Sequence, residues 1–226
     1  MEARYTRNIG ALTKEQFEAL QSKRVCVIGC GGLGGYVIEE LLRVGVGKIT
    51  AIDYDVFDYS NLNRQILSTS ETIGTLKSEA AKNRAAIVNS SVEFISICEK
   101  FKAANGEKII SGHDLVIYAL DNISVRLELS SICKELNIPI IHGAIEEWSV
   151  QVSLILPNSN AMEELYGNLE NSSNEVPPSS LCPTVATCAS LQVAEAIKYL
   201  SGIESSLNGI LLHFDLLTME MEKIEL

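Results

Sequence analysis

Short β-branched runs alternate with stretches of helical period along this chain. Arg24 to Gly29 (RVCVIG) reads as a buried strand; Gly32 to Val44 follows, with Leu33, Val37, Ile38, Leu41 and Leu42 on one helix face. Lys48 to Asp53 (KITAID) predicts a second strand, Lys77 to Asn89 a helix, and Val92 to Cys98 a third strand. Asp114 to Leu120 (DLVIYAL) predicts a fourth strand, Val125 to Leu136 a helix, and Pro139 to His142 the opening of a fifth strand. This alternation predicts an α/β class: a Rossmann-like, doubly wound, mostly parallel sheet.

The pattern changes after residue 143. Val150 to Leu156 (VQVSLIL) reads as another strand, whereas Asn158 to Ser180 is polar and contains Pro177-Pro178, which predicts a flexible loop. Thr184 to Leu200 returns to helical period, and Gly209 to Phe214 with Thr218 to Ile224 reads as a hairpin. The sheet is therefore expected to be extended by antiparallel strands at its C-terminal end.

Composition narrows the class. The chain has 226 residues, 46% apolar and 21% charged, the balance of one folded core rather than a disordered segment. No apolar run is long enough to cross a bilayer, and the start lacks an apolar signal region, so a cytoplasmic protein without a membrane partner is expected. Six cysteines lie scattered without a CxxC pair, which predicts reduced thiols and no zinc. A net charge of −11 argues against a broad nucleic-acid surface.

Gly29-Cys30-Gly31-Gly32-Leu33-Gly34 satisfies GxGxxG between a strand and a helix, a turn that brings the backbone and a helix N-terminus against a phosphate. Asp53 ends the second strand, where an acid holds ribose hydroxyls. These two signals alone suit any adenine nucleotide, NAD included. Further on come Tyr54-Asp55, Ser60-Asn61-Leu62-Asn63-Arg64-Gln65 and Gly74-Thr75-Leu76-Lys77. Nucleotidyl transfer builds negative charge on the α-phosphate and the departing pyrophosphate, which fixed cations such as Arg64 and Lys77 stabilise. Asp121, just past the fourth strand, offers an oxygen ligand for Mg²⁺. Each has a plainer reading: Arg64 as a solvated loop charge, Lys77 as a surface lysine, Asp121 as a helix N-cap.

In their order these motifs resemble the family of molybdopterin-synthase adenylyltransferase, the thiamine sulfur-carrier adenylyltransferase and the ubiquitin-activating enzymes. Arg4-Tyr5-Thr6-Arg7-Asn8, Gly29 to Gly34, Asp53-Tyr54-Asp55, Ser60 to Gln65, Gly74 to Lys77 and Leu120-Asp121-Asn122 carry the likeness, which continues through His142-Gly143-Ala144 and Ser190 to Lys198. The resemblance implies that Gly29, Gly31, Gly32 and Gly34 line ATP, with Asp55 and Gln65 also at the nucleotide. It implies that Asp53 binds the ribose, that Asn61, Arg64 and Lys77 contact the phosphates, and that Asp121 holds Mg²⁺. Arg7 would reach into the partner's site in a homodimer. The implied reaction is ATP-dependent adenylation of the C-terminal carboxylate of a small ubiquitin-like sulfur carrier. Residues 1–226 would form one adenylation domain, with an N-terminal helical arm over 1–23, a nucleotide-binding half over 24–143 and a substrate-facing half over 144–226 that includes the loop near 158–180.

The chain departs from the pattern in three places. It lacks the two zinc-binding CxxC pairs of many relatives, and Asn8 replaces a glutamine. Where many relatives carry an acyl-accepting loop cysteine, a gapless count from the helix finds Glu175. The neighbouring thiol, Cys182 at a loop-to-helix junction, is either a reactive group favoured by helix N-terminal donors or a buried junction residue. Alternative readings are activation of a tRNA or peptide carboxylate, an NAD-binding oxidoreductase, and a pseudoenzyme that only docks a partner. His142 and Trp148 could border a substrate channel, or be packing residues with a satisfied polar atom, the commoner case for a lone His or Trp.

Overall fold

The structure, a computed structural model, describes residues 2–120, 122–167 and 179–226. After a 3-10 turn, Ala3–Tyr5, the elements run α1 (Lys14–Gln21), β1 (Arg24–Ile28), α2 (Gly32–Val44), β2 (Lys48–Ile52), α3 (Lys77–Val88), β3 (Glu93–Ile97), α4 (Ala103–Ile110), β4 (Leu115–Tyr118) and α5 (Ile123–Glu135). There follow β5 (Ile140–Glu146), β6 (Ser149–Ile155), α6 (Ala161–Tyr166), α7 (Cys182–Leu200), β7 (Ile210–Asp215) and β8 (Glu220–Glu225). The eight strands form one sheet in the order β3-β2-β1-β4-β5-β6-β7-β8. β3 through β5 pair in parallel, and β5 through β8 form an antiparallel meander, as the sequence led one to expect.

Period-two alternation along β1 divides the core into two layers. Val25 and Val27 face α2 and α7, while Cys26 and Ile28 face the side of α4, α5 and α6. All four are fully buried, which explains why the strand is an unbroken apolar run. Each large side chain removed from water in this way contributes roughly 1.5–3 kcal/mol. β8 is an exposed edge strand, and Glu220, Glu222, Lys223 and Glu225 place charges along it that discourage further strand addition.

Two local features differ from the sequence expectation. α4 lies between β3 and β4 where no helix was expected; it is eight residues long, buries Gly106, Ile109 and Ile110, and packs so closely that a Cβ on Gly106 would meet Ile132 and Phe101. β5 opens where expected and runs on to Glu146 through its antiparallel pairing with β6. The stretch expected as a loop near 158–180 contains α6, with Ala161 and Met162 buried; residues 168–178, including Glu175, lie outside the described residues. Among the described residues no helix is long and apolar enough to cross a membrane.

Candidate active site

β1 is flanked by β2 and β4, and the chain crosses from one half of the sheet to the other between β3 and β4. Open α/β sheets bind ligands beyond the carboxyl ends of strands at such a switch point. A cavity of about 370 Å³ opens there. Its walls include Gly31, Gly32, Asp53, Asp55, Asn61, Arg64, Gln65 and Lys77, so the structure gathers these separate sequence motifs in one place.

The glycine turn has two tight points. Gly29 takes φ +105°, a conformation that L side chains rarely adopt, and its N–H donates to Ile52 O. A Cβ on Gly34 would stand 1.9 Å from Gly29 O, so the first turn of α2 closes directly on the end of β1. Gly31 caps α2 without a side-chain hydrogen bond, which leaves first-turn N–H groups facing the cavity.

Asp53 follows β2 and is buried. Its Oδ2 accepts from Cys30 N and its Oδ1 from Asp55 N, both at 2.8 Å, which fixes the carboxylate in orientation. Burial pushes its carboxyl above the ordinary range, against the pull of those two N–H donors and of Lys77. Lys77 opens α3. The segment ahead of it hooks onto the strand-like stretch after Asp53: Gly74 N donates to Phe57 O, Phe57 N to Thr75 O, and Lys77 N to Asp55 O. Gly74 makes this turn at φ +79°. The buried Lys77 ammonium then lies 3.3 Å from Asp55 Oδ2.

Arg64 and Asn61 belong to a short turn after β2. Arg64 Nη1 donates to Ser60 O at 3.0 Å and to Asn63 Oδ1 at 2.7 Å, with no carboxylate partner among the described residues. Asn61 Oδ1 accepts from Asp58 N at 3.1 Å, closing its own turn. Gln65 is buried beside Gly31, and its Oε1 has no hydrogen-bond partner among the described residues. Asp121 lies outside the described residues. Among them, no three or more His, Cys, Asp or Glu side chains gather as a metal site.

Arg7 does not line this cavity; with Asn8, Leu12, Ile197 and Ile203 it lines a separate groove. Cys182 is the first residue of α7 and is half-buried, whereas Cys188 is buried, with its thiol pushed up to about 12 by burial. Tyr36 Oη lies 3.0 Å from Cys182 Sγ, and the Tyr36 hydroxyl is pushed up to about 12, first by burial and then by this contact. The neighbours Ser180 and Val185 line the cavity; Cys182 itself does not.

One charged cavity residue escaped the sequence reading. Arg126, in the first turn of α5, is buried and lines the cavity together with the glycine turn. Its one available signal is a cation among Leu129, Ser130 and Cys133 on the buried face of α5. Arg126 donates to Leu120 O at 3.0 Å, Gly143 O at 3.2 Å, Tyr166 Oη at 3.1 Å and His142 Nδ1 at 3.2 Å. His142 is fully buried, and burial, followed by the Arg126 charge, holds it well below the ordinary imidazole range. It therefore sits behind the cavity wall as a partner of Arg126, not on a channel border. Trp148 is partly exposed, directly ahead of β6, and does not line the cavity.

The family model of the ThiF family matches residues 5–226, and the chain belongs to that family. It is 32% identical over 214 residues to the molybdopterin-synthase adenylyltransferase of Salmonella typhimurium, covering 92% of this chain and 85% of that one. It is 31% identical to the SAMP-activating enzyme E1 of Haloferax volcanii, covering 98% and 84%. Among solved structures, E. coli MccB with ATP superposes with a TM-score of 0.88 at 20% identity, covering 100% of this chain and 72% of that one, a likeness of fold.

Proposed function

We infer that this protein is an ATP-dependent adenylyltransferase that activates the C-terminal carboxylate of a small ubiquitin-like sulfur-carrier protein. The observation that carries this reading is the meeting of Arg64 and Lys77 with the glycine turn and Asp53 in one cavity at the switch point of the sheet. A redox dinucleotide keeps its phosphates intact, whereas a nucleotidyl transferase must stabilise a departing pyrophosphate. The Salmonella adenylyltransferase and the Haloferax activating enzyme, similar over most of the chain, support the same choice.

In this reading the Asp53 carboxylate, oriented by Cys30 N and Asp55 N, accepts the ribose hydroxyls. The first-turn N–H groups of α2, with Asn61, Arg64 and Lys77, hold the triphosphate; Gln65 offers its unpaired Oε1 to a ligand donor. A carboxylate oxygen of the carrier then attacks the α-phosphorus. A new C–O–P link forms, the α–β phosphoanhydride bond breaks, and pyrophosphate leaves with the bonding electron pair. Arg64 and Lys77 act on the charge that grows during this exchange.

Mg²⁺ is commonly held by one or two carboxylates together with substrate phosphates. The half-exposed Asp55 carboxylate at the cavity suits that donor set, and the sequence adds Asp121. The ion would supply further positive charge to the triphosphate. Arg7 is assigned to the partner's cavity in a homodimer, a role in keeping with its position away from its own. Cys182 is placed after adenylation, as an acceptor of the activated acyl group. Six unpaired cysteines suit a reducing, cytoplasmic setting.

The test is pyrophosphate release with ATP and a candidate carrier ending in Gly-Gly. Release is expected with the free C-terminus and not with the amidated one; equal release from both would refute carboxylate activation.

A further inference from the structure

The cations that line the cavity come from the two halves of the sheet. Arg64 and Lys77 belong to the segment after β2 and to the start of α3. Arg126 belongs to α5, after β4, and holds Leu120 O; Ala144 and Ile145 of β5 line the same cavity. Among the described residues, Arg126 is the one lining cation that comes from the β4 side of β1.

Arg126 is an unusual buried charge. Its four described acceptors are two backbone carbonyls, an imidazole nitrogen and a phenolic oxygen, and no described carboxylate pairs with it. Its guanidinium also lies 4.5 Å from the Tyr118 ring centroid and 5.2 Å from that of Tyr166. A buried cation held only by neutral groups leaves its charge uncompensated, which favours an anion at the cavity face. A guanidinium has five N–H donors. Nη1 serves His142, Gly143 and Tyr166, and Nη2 serves Leu120 O, so Nε has no acceptor among the described residues. The donation to Nδ1 also sets the His142 tautomer: its proton is on Nε2 and is shared with Tyr166 Oη at 3.2 Å. The head group is thus fixed from behind by His142 and Tyr166.

We propose that Arg126 binds the C-terminal carboxylate of the incoming carrier tail and aims it at the α-phosphorus. The inference rests on the adenylyltransferase reading of the cavity. In-line displacement needs the nucleophile opposite the leaving pyrophosphate; Arg64 and Lys77 follow β2 on one side of β1, and Arg126 follows β4 on the other. A planar guanidinium matches a carboxylate in two-point contact, which a lysine ammonium does not. The apolar lining from β5, Ala144 and Ile145, suits a tail of glycines that carries no side chains. His142 and Tyr166 are positioning residues that hold the fork in orientation.

The test uses a fluorescent peptide ending in Gly-Gly, as free acid and as C-terminal amide, with the protein loaded with Mg²⁺ and α,β-methylene ATP. The wild type is expected to bind the acid at least about tenfold more tightly than the amide, the scale of a charge-assisted pair. Arg126→Gln should erase that preference while the affinity for the ATP analogue stays within about twofold. Tyr166→Phe should narrow the preference without altering analogue binding, an effect that a purely structural clamp would not produce. Should Arg126→Gln fail to fold, Arg126→Lys carries the test, with the preference falling by at least about threefold. Equal binding of acid and amide by the wild type, no acid binding at millimolar peptide, or an undiminished preference in the folded Arg126 variant would overturn the proposal. Failure of the wild type to bind the ATP analogue would overturn the adenylyltransferase reading itself; normal analogue binding without acid preference would remove the Arg126 assignment alone.

Discussion

The Lys77 ammonium lies 3.3 Å from Asp55 Oδ2, in the lining of the cavity that we assign to a triphosphate. Asp55 is half-exposed, so this pair contributes at most about 1 kcal/mol to folding. Lys77→Ala should therefore leave the melting temperature nearly unchanged. Carrier-dependent pyrophosphate formation should fall on the order of 10²- to 10³-fold, the usual cost of removing a charge stabiliser from a transition state. Arg64→Ala should behave in the same way. Near-native turnover in both variants would remove the phosphate clamp.

Two glycines of the same turn should respond differently to one methyl group. At Gly34 it would meet Gly29 O at 1.9 Å, backbone against backbone, with no flexible side chain to yield. Gly34→Ala should lower the melting temperature by on the order of 10 °C. At Gly31 the nearest atom is Gln65 Nε2 at 3.6 Å, an ordinary contact. Gly31→Ala should keep its stability but weaken ATP binding, since the methyl enters the cavity; thermal melts and calorimetry separate the two.

Stability should fall as the pH drops below about 6.5, the range in which an unfolded histidine takes up a proton. Burial holds both His142 and His113 below that value in the folded protein, so the unfolded state binds more protons there. Each histidine contributes a slope of up to about 1.4 kcal/mol per pH unit. Asp53 and Glu40, raised by burial, act in the opposite direction at lower pH. Urea unfolding at several pH values should give a shallower slope for His142→Phe than for the wild type; identical slopes would show that His142 is not the titrating group.

Mixing tests the proposed role of Arg7 in a partner's cavity. If Arg7 completes the partner's cavity, Arg7→Ala and Lys77→Ala homodimers are each inactive, but half of randomly exchanged dimers carry one intact site. A mixture should thus recover about a quarter of wild-type activity. No recovery after demonstrated subunit exchange would return Arg7 to a local role in its groove.

The parallel core was readable because β1 is apolar on both faces, a pattern that only a sheet covered by helices on both sides explains. Asp53, Asn61, Arg64 and Lys77 were readable as a group because they belong to ordered motifs, and the fold brings them to one cavity. Arg126 was not, because an arginine in a helix gives no sign of the face it will occupy until β5 and α6 close around it. For His142 the sequence left a channel border and a packing role open; its partners Arg126 and Tyr166, which lie on other elements, decide for packing. α4 and α6 are too short for periodicity to separate them from loops; tertiary packing makes them helices.

The adenylation site itself is tested most directly by titration calorimetry of the protein with ATP and Mg²⁺ and, separately, with NAD, repeated on Lys77→Ala. Binding of ATP that needs Mg²⁺ and weakens at least about tenfold in the variant is the predicted result. Binding of NAD in place of ATP, or ATP binding indifferent to Lys77, would contradict it.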